Sequence, residues 1–252
     1  MTESMKKLVS ILRDSSRIVF FGGAGISTAS GIPDFRSANG IFSRKLNRNV
    51  TPEQAVSHSF FVYNTEEFYD FYKKYLVYPE AKPNDCHTAL VRLERMGRLS
   101  AVVTQNIDGL HQAAGSKTVY ELHGSVHRNY CQRCHAFYDA AYVLGAEGIP
   151  RCEKCGGLIK PDVVLYEEGL SDEVVSGAIG AISEADTLIV GGTSLVVYPA
   201  AGLLRYFHGK HLVLINKSET QADRQAELVI HEDISRIMKE AVDALEEEGN
   251  EK

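Results

Sequence analysis

Two pairs of cysteines have the spacing that points most directly to chemistry. Cys131 and Cys134 form one C-x-x-C pair, Cys152 and Cys155 form a second, and 17 residues separate the pairs. Each pair can give two thiolates to one tetrahedral ion, and this spacing is typical of a zinc ribbon. A c-type haem site at the C-Q-R-C-H sequence and a dithiol redox pair are the alternatives. Haem attachment would leave the second pair unused, and no thioredoxin-like pattern surrounds either pair.

A glycine-rich turn after an apolar run indicates a phosphate site. Residues 18–21 read Ile-Val-Phe-Phe and have the length and bulk of a buried strand. Three glycines follow within four positions, and glycine lets a backbone turn sharply and come close to a ligand. Ser27 and Thr28 can then lead into a helix whose free N–H groups suit a phosphate. Because Thr28 replaces the third glycine of a dinucleotide-binding fingerprint, this stretch alone fits either nucleotide binding or a tight turn.

Polar side chains follow two further predicted strands. Gln105, Asn106 and Asp108 come directly after the apolar residues 99–104, and His123 comes after another short strand. In open parallel sheets, ligands bind beyond the carboxyl ends of the strands. The ordinary pKa of histidine, about 6.5, suits a general base. A polar strand end or a lone histidine is also common without any function, so it is the combination with the glycine turn that favours a site.

Composition restricts the class of protein. The chain has 252 residues, of which 44% are hydrophobic and 24% charged, as in soluble globular proteins with one large domain or a domain with an insert. A net charge of −6 and the lack of a Lys/Arg block argue against nucleic acid as a direct partner. No apolar run could cross a membrane, and the N-terminus resembles an amphipathic helix more than a signal peptide. We therefore expect a cytoplasmic protein without a membrane partner.

Alternating strands and helices favour an α/β fold with a doubly wound parallel sheet. The predicted strands lie at 18–21, 99–104, near 120, and at 161–166, 187–190, 211–215 and 227–230. The predicted helices lie at 4–14, 84–96, 171–185, 199–207 and 233–248. Two inserts interrupt this alternation: one is helical and rich in aromatic residues, and the other carries the cysteines.

The motifs, taken in order, resemble those of the sirtuin family, the NAD-dependent protein deacylases. They are GAGIS at 23–27, GIPDFR at 31–36, TQNID at 104–108, His-Gly at 123–124, the four spaced cysteines, and GTSLVVYP at 192–199. The resemblance runs from Ser10 to about Ala241 and is to the short, bacterial-type members.

This resemblance implies a division into domains. A Rossmann-like NAD-binding domain would comprise residues 1–36, 99–123 and 161–252. A smaller domain would combine the helical insert, 37–98, with the zinc-binding module, 124–160. NAD would lie in the cleft between the two domains, and acyl-lysine would enter from the opposite side.

Site residues follow from the same resemblance, position by position. The implied NAD-binding residues are Gly23, Ala24, Gly25, Thr28, Phe35, Arg36, Gln105, Ile107, Asp108, His123, Thr193, Ser194, Asn216, Asp233 and Ile234. The implied substrate-binding residues are Val164, Glu167, Glu168, Leu195, Val196 and Val197, with the peptide added as a strand. The implied catalytic residues are His123, as the base that takes a proton from a ribose hydroxyl, and Asn106, at the ribose. The implied zinc ligands are the four paired cysteines.

The implied reaction is deacetylation of protein lysine. The acyl oxygen attacks the ribose carbon as nicotinamide leaves, and the acyl group ends on ADP-ribose. Glu167 departs from the family, which usually has glycine there. Two adjacent carboxylates, Glu167 and Glu168, could favour basic peptides. Residues 40–45 lack the Tyr-x-x-Arg pair of family members that accept acidic acyl groups, so a neutral acyl group is expected. An NAD-linked dehydrogenase, a non-catalytic adaptor and an ADP-ribosyl transferase are the competing readings.

Overall fold

The computed structural model describes residues 1–35, 37, 40–41 and 50–250. Its strands are β1 (Ile18–Gly22), β2 (Leu99–Thr104), β3 (Val119–Glu121), β4 (Gly124–Cys131), β5 (Phe137–Tyr138), β6 (Ile159–Val163), β7 (Thr187–Gly191), β8 (His211–Ile215) and β9 (Leu228–Ile230). Its α-helices are α1 (Glu3–Asp14), α2 (Pro52–Ala55), α3 (His58–Tyr63), α4 (Thr65–Tyr75), α5 (Asp85–Arg95), α6 (Leu110–Ala114), α7 (Ala140–Gly145), α8 (Asp172–Glu184) and α9 (Ile234–Asn250).

Six strands form one parallel sheet in the order β3-β2-β1-β7-β8-β9. The chain winds outward from β1 in one direction and, after β6, outward in the other, which is the strand order of Rossmann-type nucleotide-binding folds. The predicted doubly wound α/β fold is confirmed. The carboxyl ends of β1 and β7 meet where the winding reverses, and this is where such folds bind ligands.

Both faces of the sheet are covered, because successive side chains of a strand point to opposite faces. On β1, Ile18 and Phe20 pack with α1, α5 and α9, whereas Val19 and Phe21 pack with α8 and the 3₁₀ helix Ala200–Tyr206. All five residues of β1 are buried, as expected for a central parallel strand. The near-continuous apolar run that predicted β1 therefore reflects burial on two faces.

The cysteine-bearing insert forms a separate three-stranded sheet in the order β5-β4-β6. The prediction that the strand near 161–166 returns to the parallel sheet is wrong. That strand forms at Ile159–Val163 and pairs antiparallel with β4, from Gly124↔Val163 to Cys131↔Ile159. A short apolar strand has the same local pattern in either sheet, so the sequence does not reveal its partner.

The helical insert and the cysteine-bearing insert share one core. Phe68, Tyr69 and Tyr72 of α4 are fully buried and pack in one cluster with residues of the small sheet. The Tyr69 hydroxyl donates a hydrogen bond to the carbonyl oxygen of Ile159 on β6. Together they form the predicted smaller body, although the exact domain boundaries stay a prediction.

Two predicted helices have a tighter geometry than an α-helix. The segment after the first glycines, Ala24–Ser30, is a 3₁₀ helix that ends at Gly31 with φ +84°, and the segment predicted at 199–207 is the 3₁₀ helix Ala200–Tyr206. Both are short, as is usual for 3₁₀ helices. Within the described ranges, no helix combines the length and the apolarity that crossing a membrane would require.

Candidate active site

Two glycine turns meet backbone to backbone at the reversal point of the sheet. The N–H of Gly25 donates to the carbonyl oxygen of Gly192 at 2.8 Å, and the N–H of Gly23 donates to that of Gly191 at 3.3 Å. A Cβ atom on Gly25 would lie 2.8 Å from the Cα and the oxygen of Gly192, which is closer than real Cβ contacts. Glycine is therefore required for this approach. The 3₁₀ helix that carries Ala24 and Thr28 begins here and faces the cleft.

The predicted polar cluster after β2 is tied to the 3₁₀ helix through one serine. The Ser27 hydroxyl donates to Oδ2 of Asp108 at 2.6 Å and accepts from Nδ2 of Asn106 at 3.0 Å. Oδ1 of Asp108 accepts from the N–H of Leu110 at 2.9 Å. Asn106 is 8% exposed, so its amide is fixed by these bonds before any ligand enters. The network orients Asn106 and Asp108 relative to the glycine turn.

Gln105 connects the polar cluster to the second glycine turn. Its Nε2 donates to the Thr193 hydroxyl at 3.0 Å, and its backbone N–H donates to the carbonyl oxygen of Gly22 at 3.0 Å. The Thr193 oxygen also accepts from the N–H of Leu195 at 3.2 Å. One residue thus joins the ends of β1, β2 and β7.

His123 is held in one tautomer by its neighbour. Its Nδ1 lies 2.9 Å from the carbonyl oxygen of Gln105. Because a carbonyl oxygen only accepts, Nδ1 carries the proton and Nε2 is the basic nitrogen of the neutral ring. Burial lowers the pKa of His123 below its ordinary value, partly offset by the bond to Gln105. The ring is therefore neutral at pH 7 and able to accept a proton.

The residue after His123 fixes how the small sheet approaches the site. Gly124 has φ +73°, and a Cβ atom there would lie 1.9 Å from the carbonyl oxygen of Asp162. The N–H of Val164 donates to the carbonyl oxygen of His123 at 3.0 Å. The glycine of the His-Gly pair is thus explained by close backbone packing against the small sheet.

A cleft of about 830 Å³ runs between the parallel sheet and the smaller body. The predicted residues that line it are Gly23, Ala24, Gly25, Thr28, Phe35, Gln105, Asn106, Ile107, His123, Val164, Glu167, Glu168, Thr193, Ser194, Val197, Asn216, Asp233 and Ile234. Among the described residues, three predicted ones are not in its lining: Asp108, Leu195 and Val196. The carboxylate of Asp108 accepts a hydrogen bond from Ser27, and Val196 is 53% exposed. Arg36 lies outside the described residues.

The far end of the cleft is formed by the ends of β8 and β9. Asn216 follows β8, and its Nδ2 donates to the carbonyl oxygen of Ser218 at 2.7 Å. Asp233 pairs with Lys217 at 2.9 Å, while its other oxygen accepts from the N–H of Ser235 in the first turn of α9. These residues shape the end of the cleft that was predicted for the adenosine half of NAD.

The predicted substrate segment is bonded to the helical insert. The N–H of Tyr166 donates to the carbonyl oxygen of Val56 at 3.0 Å, and the N–H of His58 donates to that of Tyr166 at 2.9 Å. Glu167 accepts from the N–H and the hydroxyl of Ser59, at 2.8 and 2.6 Å. These bonds hold the pKa of Glu167 below its ordinary value.

The carboxylate of Glu168 has a different set of partners from that of Glu167. Its carboxylate contacts Nδ1 of His58 at 2.8 Å, Nζ of Lys160 at 3.1 Å and the N–H of Leu165 at 2.9 Å. Burial raises the pKa of Glu168, but the bonds from His58 and Leu165 and the charge of Lys160 outweigh it, and the pKa is lowered overall. Each of the two adjacent carboxylates therefore has its own partners within the protein.

The four paired cysteines converge as predicted. Their Sγ atoms all lie within 4.8 Å of one another, with Cys131 and Cys155 at 3.4 Å and Cys134 and Cys152 at 3.5 Å. Zn–S bonds of about 2.3 Å place tetrahedral thiolates roughly 3.8 Å apart, whereas a disulfide needs about 2.05 Å. The donor set therefore fits one zinc ion with all four positions filled by sulfur. The remaining cysteine, Cys86, is fully buried.

Sequence reasoning missed a pair of buried histidines behind the polar cluster. The rings of His87 and His111 lie 4.7 Å apart, and both residues are essentially unexposed. Burial lowers the pKa of His87 to about 4, although Asp108 opposes this, and burial followed by His87 lowers that of His111 to about 3. His111 stands in the polar segment after β2, but nothing in the sequence indicates that a histidine of α5 packs against it.

Taken together, the site belongs to the class of Rossmann-type enzymes that bind a nucleotide at the end of a parallel sheet, here with a zinc-ribbon body closing one side. The family model described as the Sir2 family matches residues 23–199, and the chain belongs to this family.

Similar proteins agree along nearly the whole chain. The chain is 64% identical over 244 residues to a protein of Clostridium perfringens named NAD-dependent protein deacetylase, covering 96% of this chain and 100% of that one. It is 56% identical to a protein of the same name from Clostridium acetobutylicum, covering 95% and 98%.

Solved structures give the same picture. A Sir2 with a p53 peptide and NAD⁺ matches with a TM-score of 0.82 at 41% identity and 100% coverage of both chains. A Sir2 variant with a deacetylated p53 peptide and 3′-O-acetyl ADP-ribose matches with a TM-score of 0.88 at 40% identity, covering 95% and 98%.

Proposed function

We propose that this chain is an NAD-dependent protein-lysine deacetylase that moves the acetyl group from lysine to ADP-ribose and releases nicotinamide. One observation carries the proposal: a neutral histidine with its basic nitrogen unprotonated lines the same cleft as a glycine-built nucleotide site and a substrate segment. The names of the Clostridium relatives support it.

NAD supplies a ribose carbon that becomes electrophilic when nicotinamide leaves. In our proposal, Gly23, Ala24, Gly25 and Thr28 bind its pyrophosphate through the 3₁₀ helix, with Arg36 also at the pyrophosphate and its ribose. Thr193, Ser194, Asn216, Asp233 and Ile234 bind the adenosine half. Support comes from the position of the described members of both sets along one cleft.

The reacting end is organised by the polar cluster. Ile107 and Asp108 would hold the carboxamide of nicotinamide, Phe35 would cover the bond that breaks, and Gln105 and Asn106 would orient the ribose. Holding both reactants in one geometry supplies much of the acceleration in such reactions. His123 would then accept a proton from a ribose hydroxyl at Nε2, because its Nδ1 is already committed to Gln105.

The peptide would add as a strand between Val164–Glu168 and Leu195–Val197. Val164 and Val197 line the cleft, and the exposed Val196 is accessible to a bound peptide. Acetyl-lysine proteins or peptides are thus the proposed partners. Nucleic acid is not, in view of the net charge of −6.

Zinc would be structural. With four sulfur ligands no position is left for water, so the ion would hold the small sheet together without taking part in the reaction. We also propose a cytoplasmic location, where thiols of this kind stay reduced.

One assay separates the possibilities. The protein is incubated with NAD and an acetyl-lysine peptide, and the products are separated by chromatography. Deacetylation consumes one water molecule and gives equal amounts of free nicotinamide, O-acetyl-ADP-ribose and deacetylated peptide. Formation of NADH would indicate a dehydrogenase, ADP-ribose attached to protein would indicate a transferase, and no product at all would indicate an adaptor. Each of these three results would overturn the proposal.

A further inference from the structure

Glu167 adopts a backbone conformation that is unusual for its residue type. Its φ is +77°, in the left-handed region that L side chains other than Asn and Asp seldom occupy. Such conformations persist where surrounding contacts over-determine them, and they cluster at functional sites. The contacts here are the two hydrogen bonds from Ser59, at 2.8 and 2.6 Å.

These two bonds extend a ladder between two parts of the chain that are far apart in sequence. Tyr166 is already paired through its backbone with Val56 and His58, and Ser57 bridges to Tyr166 in parallel fashion. The side chain of Glu167 adds two more hydrogen bonds, both from Ser59. The ladder fastens the segment that follows β6 to the start of α3.

The same segment faces the cleft. Val164, Leu165, Tyr166, Glu167 and Glu168 all contribute to the cleft wall. Glu168 is anchored through Lys160, the N–H of Leu165 and Nδ1 of His58. Tyr166 and Glu167 depend on the bonds to Val56, His58 and Ser59.

We propose that Glu167 is a positioning residue for the peptide substrate: its bonds to Ser59 hold segment 164–168 in the conformation that pairs with the peptide backbone. This inference rests on the proposed function and names a determinant of substrate affinity within it. Its carboxylate acts through Ser59 and does not need to touch the peptide. The proposal thus competes with the expectation from sequence that the charge of Glu167 attracts basic peptides.

Three substitutions separate conformation from charge. Glu167→Gln removes the charge but keeps an oxygen that can accept from Ser59. Glu167→Gly removes the acceptor but tolerates a positive φ. Glu167→Ala removes the acceptor and keeps the steric cost of the left-handed conformation. An exposed glutamate of the helical insert that carries Ser59, replaced in Glu66→Ala, is the control.

The variants should differ in KM for the peptide according to the fraction of molecules whose segment 164–168 already has the binding conformation, because apparent affinity falls with that fraction. We expect KM for an acetyl-lysine peptide to stay within about twofold in Glu167→Gln, to rise about threefold in Glu167→Gly, and to rise about tenfold in Glu167→Ala. Values of kcat and of KM for NAD should stay within about twofold of wild type in all three. Ser59→Ala should raise KM for the peptide in wild type but not in the Glu167→Gly background.

The alternatives give other patterns, and each overturns the proposal. If charge alone matters, all three variants lose affinity equally, for basic peptides only, and salt removes the difference. If Glu167 only stabilises the fold, the melting temperature falls while KM for the peptide stays unchanged.

Hydrogen exchange at the Ser59 amide keeps this test independent of the reaction. Exchange should accelerate in Glu167→Gly and Glu167→Ala but not in Glu167→Gln. If wild-type protein releases no nicotinamide, the proposed deacetylase function is wrong. Unchanged exchange in Glu167→Ala would instead show that Glu167 does not hold Ser59, and the positioning role would be wrong whatever the reaction.

Discussion

Replacing His123 by alanine tests the proposed base more directly than any other change. Within the described part of the chain, the one hydrogen bond that the ring makes runs from Nδ1 to the carbonyl oxygen of Gln105 at 2.9 Å. A neutral bond of this kind contributes about 0.5–1.5 kcal/mol to stability, and about 1 kcal/mol shifts the melting temperature by roughly 2–4 °C in a chain of this size. We therefore expect a folded variant that melts only a few degrees lower.

The effect on turnover should be far larger. A positioned general base accelerates a step about 10²–10⁴-fold, so steady-state deacetylation in His123→Ala should fall by that factor. Nicotinamide leaves before the base is needed in the proposed reaction. The variant should therefore release up to one nicotinamide per enzyme in a rapid first turnover, followed by slow release.

The pH dependence of the wild-type enzyme gives a second readout. Only the neutral ring can accept a proton, and burial lowers the pKa of His123. The midpoint of protonation consequently lies below the ordinary pKa of about 6.5, so turnover should be nearly constant from pH 8 to about 7 and fall at lower pH. A variant with near-wild-type steady-state turnover, or one that is insoluble, would contradict the assignment. So would a wild-type profile that already declines between pH 8 and 7.

Three further predictions follow from the cysteines, the buried histidines and the acyl group. Cys152→Ser should lower zinc content and melting temperature together, because structural zinc contributes on the order of 10 kcal/mol to folding of its module. Cys86→Ala is the control and should keep its zinc. A zinc-free Cys152→Ser protein with an unchanged melting temperature would refute this prediction. His87 and His111 have pKa values of about 4 and about 3 when folded, so the unfolded chain binds more protons below about pH 6.5. The free energy of unfolding should keep its full value above that pH and fall by roughly 2–4 kcal/mol by pH 5. Urea unfolding at several pH values measures it, and His111→Leu should make the free energy of unfolding less dependent on pH. The same pH dependence in that variant and in wild type would count against the role of the pair. Acetyl-lysine peptides should have a higher kcat/KM than succinyl-lysine peptides, since burying a carboxylate without a paired cation is costly; the reverse order would show the inference from residues 40–45, in part outside the described residues, to be wrong.

The parallel sheet could be predicted because its strands are specified locally. β1, β2, β7 and β8 are short apolar runs that end in glycine or polar residues, and each forms within one or two residues of its predicted position. The strand Ile159–Val163 was placed in the wrong sheet because its pairing depends on β4, about thirty residues earlier. Local pattern specifies that a strand forms, whereas its partner depends on tertiary contacts.

The candidate site divides in the same way. Three features are each local in sequence: the glycine turn, the polar cluster and each cysteine pair. Their residue types indicate which chemistry they can perform. The contact of Glu167 with Ser59 spans 108 positions, and the meeting of His87 with His111 joins two helices. Neither has a local signal. The sequence marked Glu167 as unusual, but only its positive φ explains why glycine suits that position in the family.

The shared core of the two inserts has a consequence for how the chain is made. During synthesis, α4 leaves the ribosome with Phe68, Tyr69 and Tyr72 well before β6, which supplies the acceptor for the Tyr69 hydroxyl at Ile159. Until then these large rings have no complete packing partner. Closing this contact requires a long loop, which is slow to form compared with local structure. The nascent chain therefore passes through a stage in which these aromatic side chains stay exposed, and the arrival of β6 ends it.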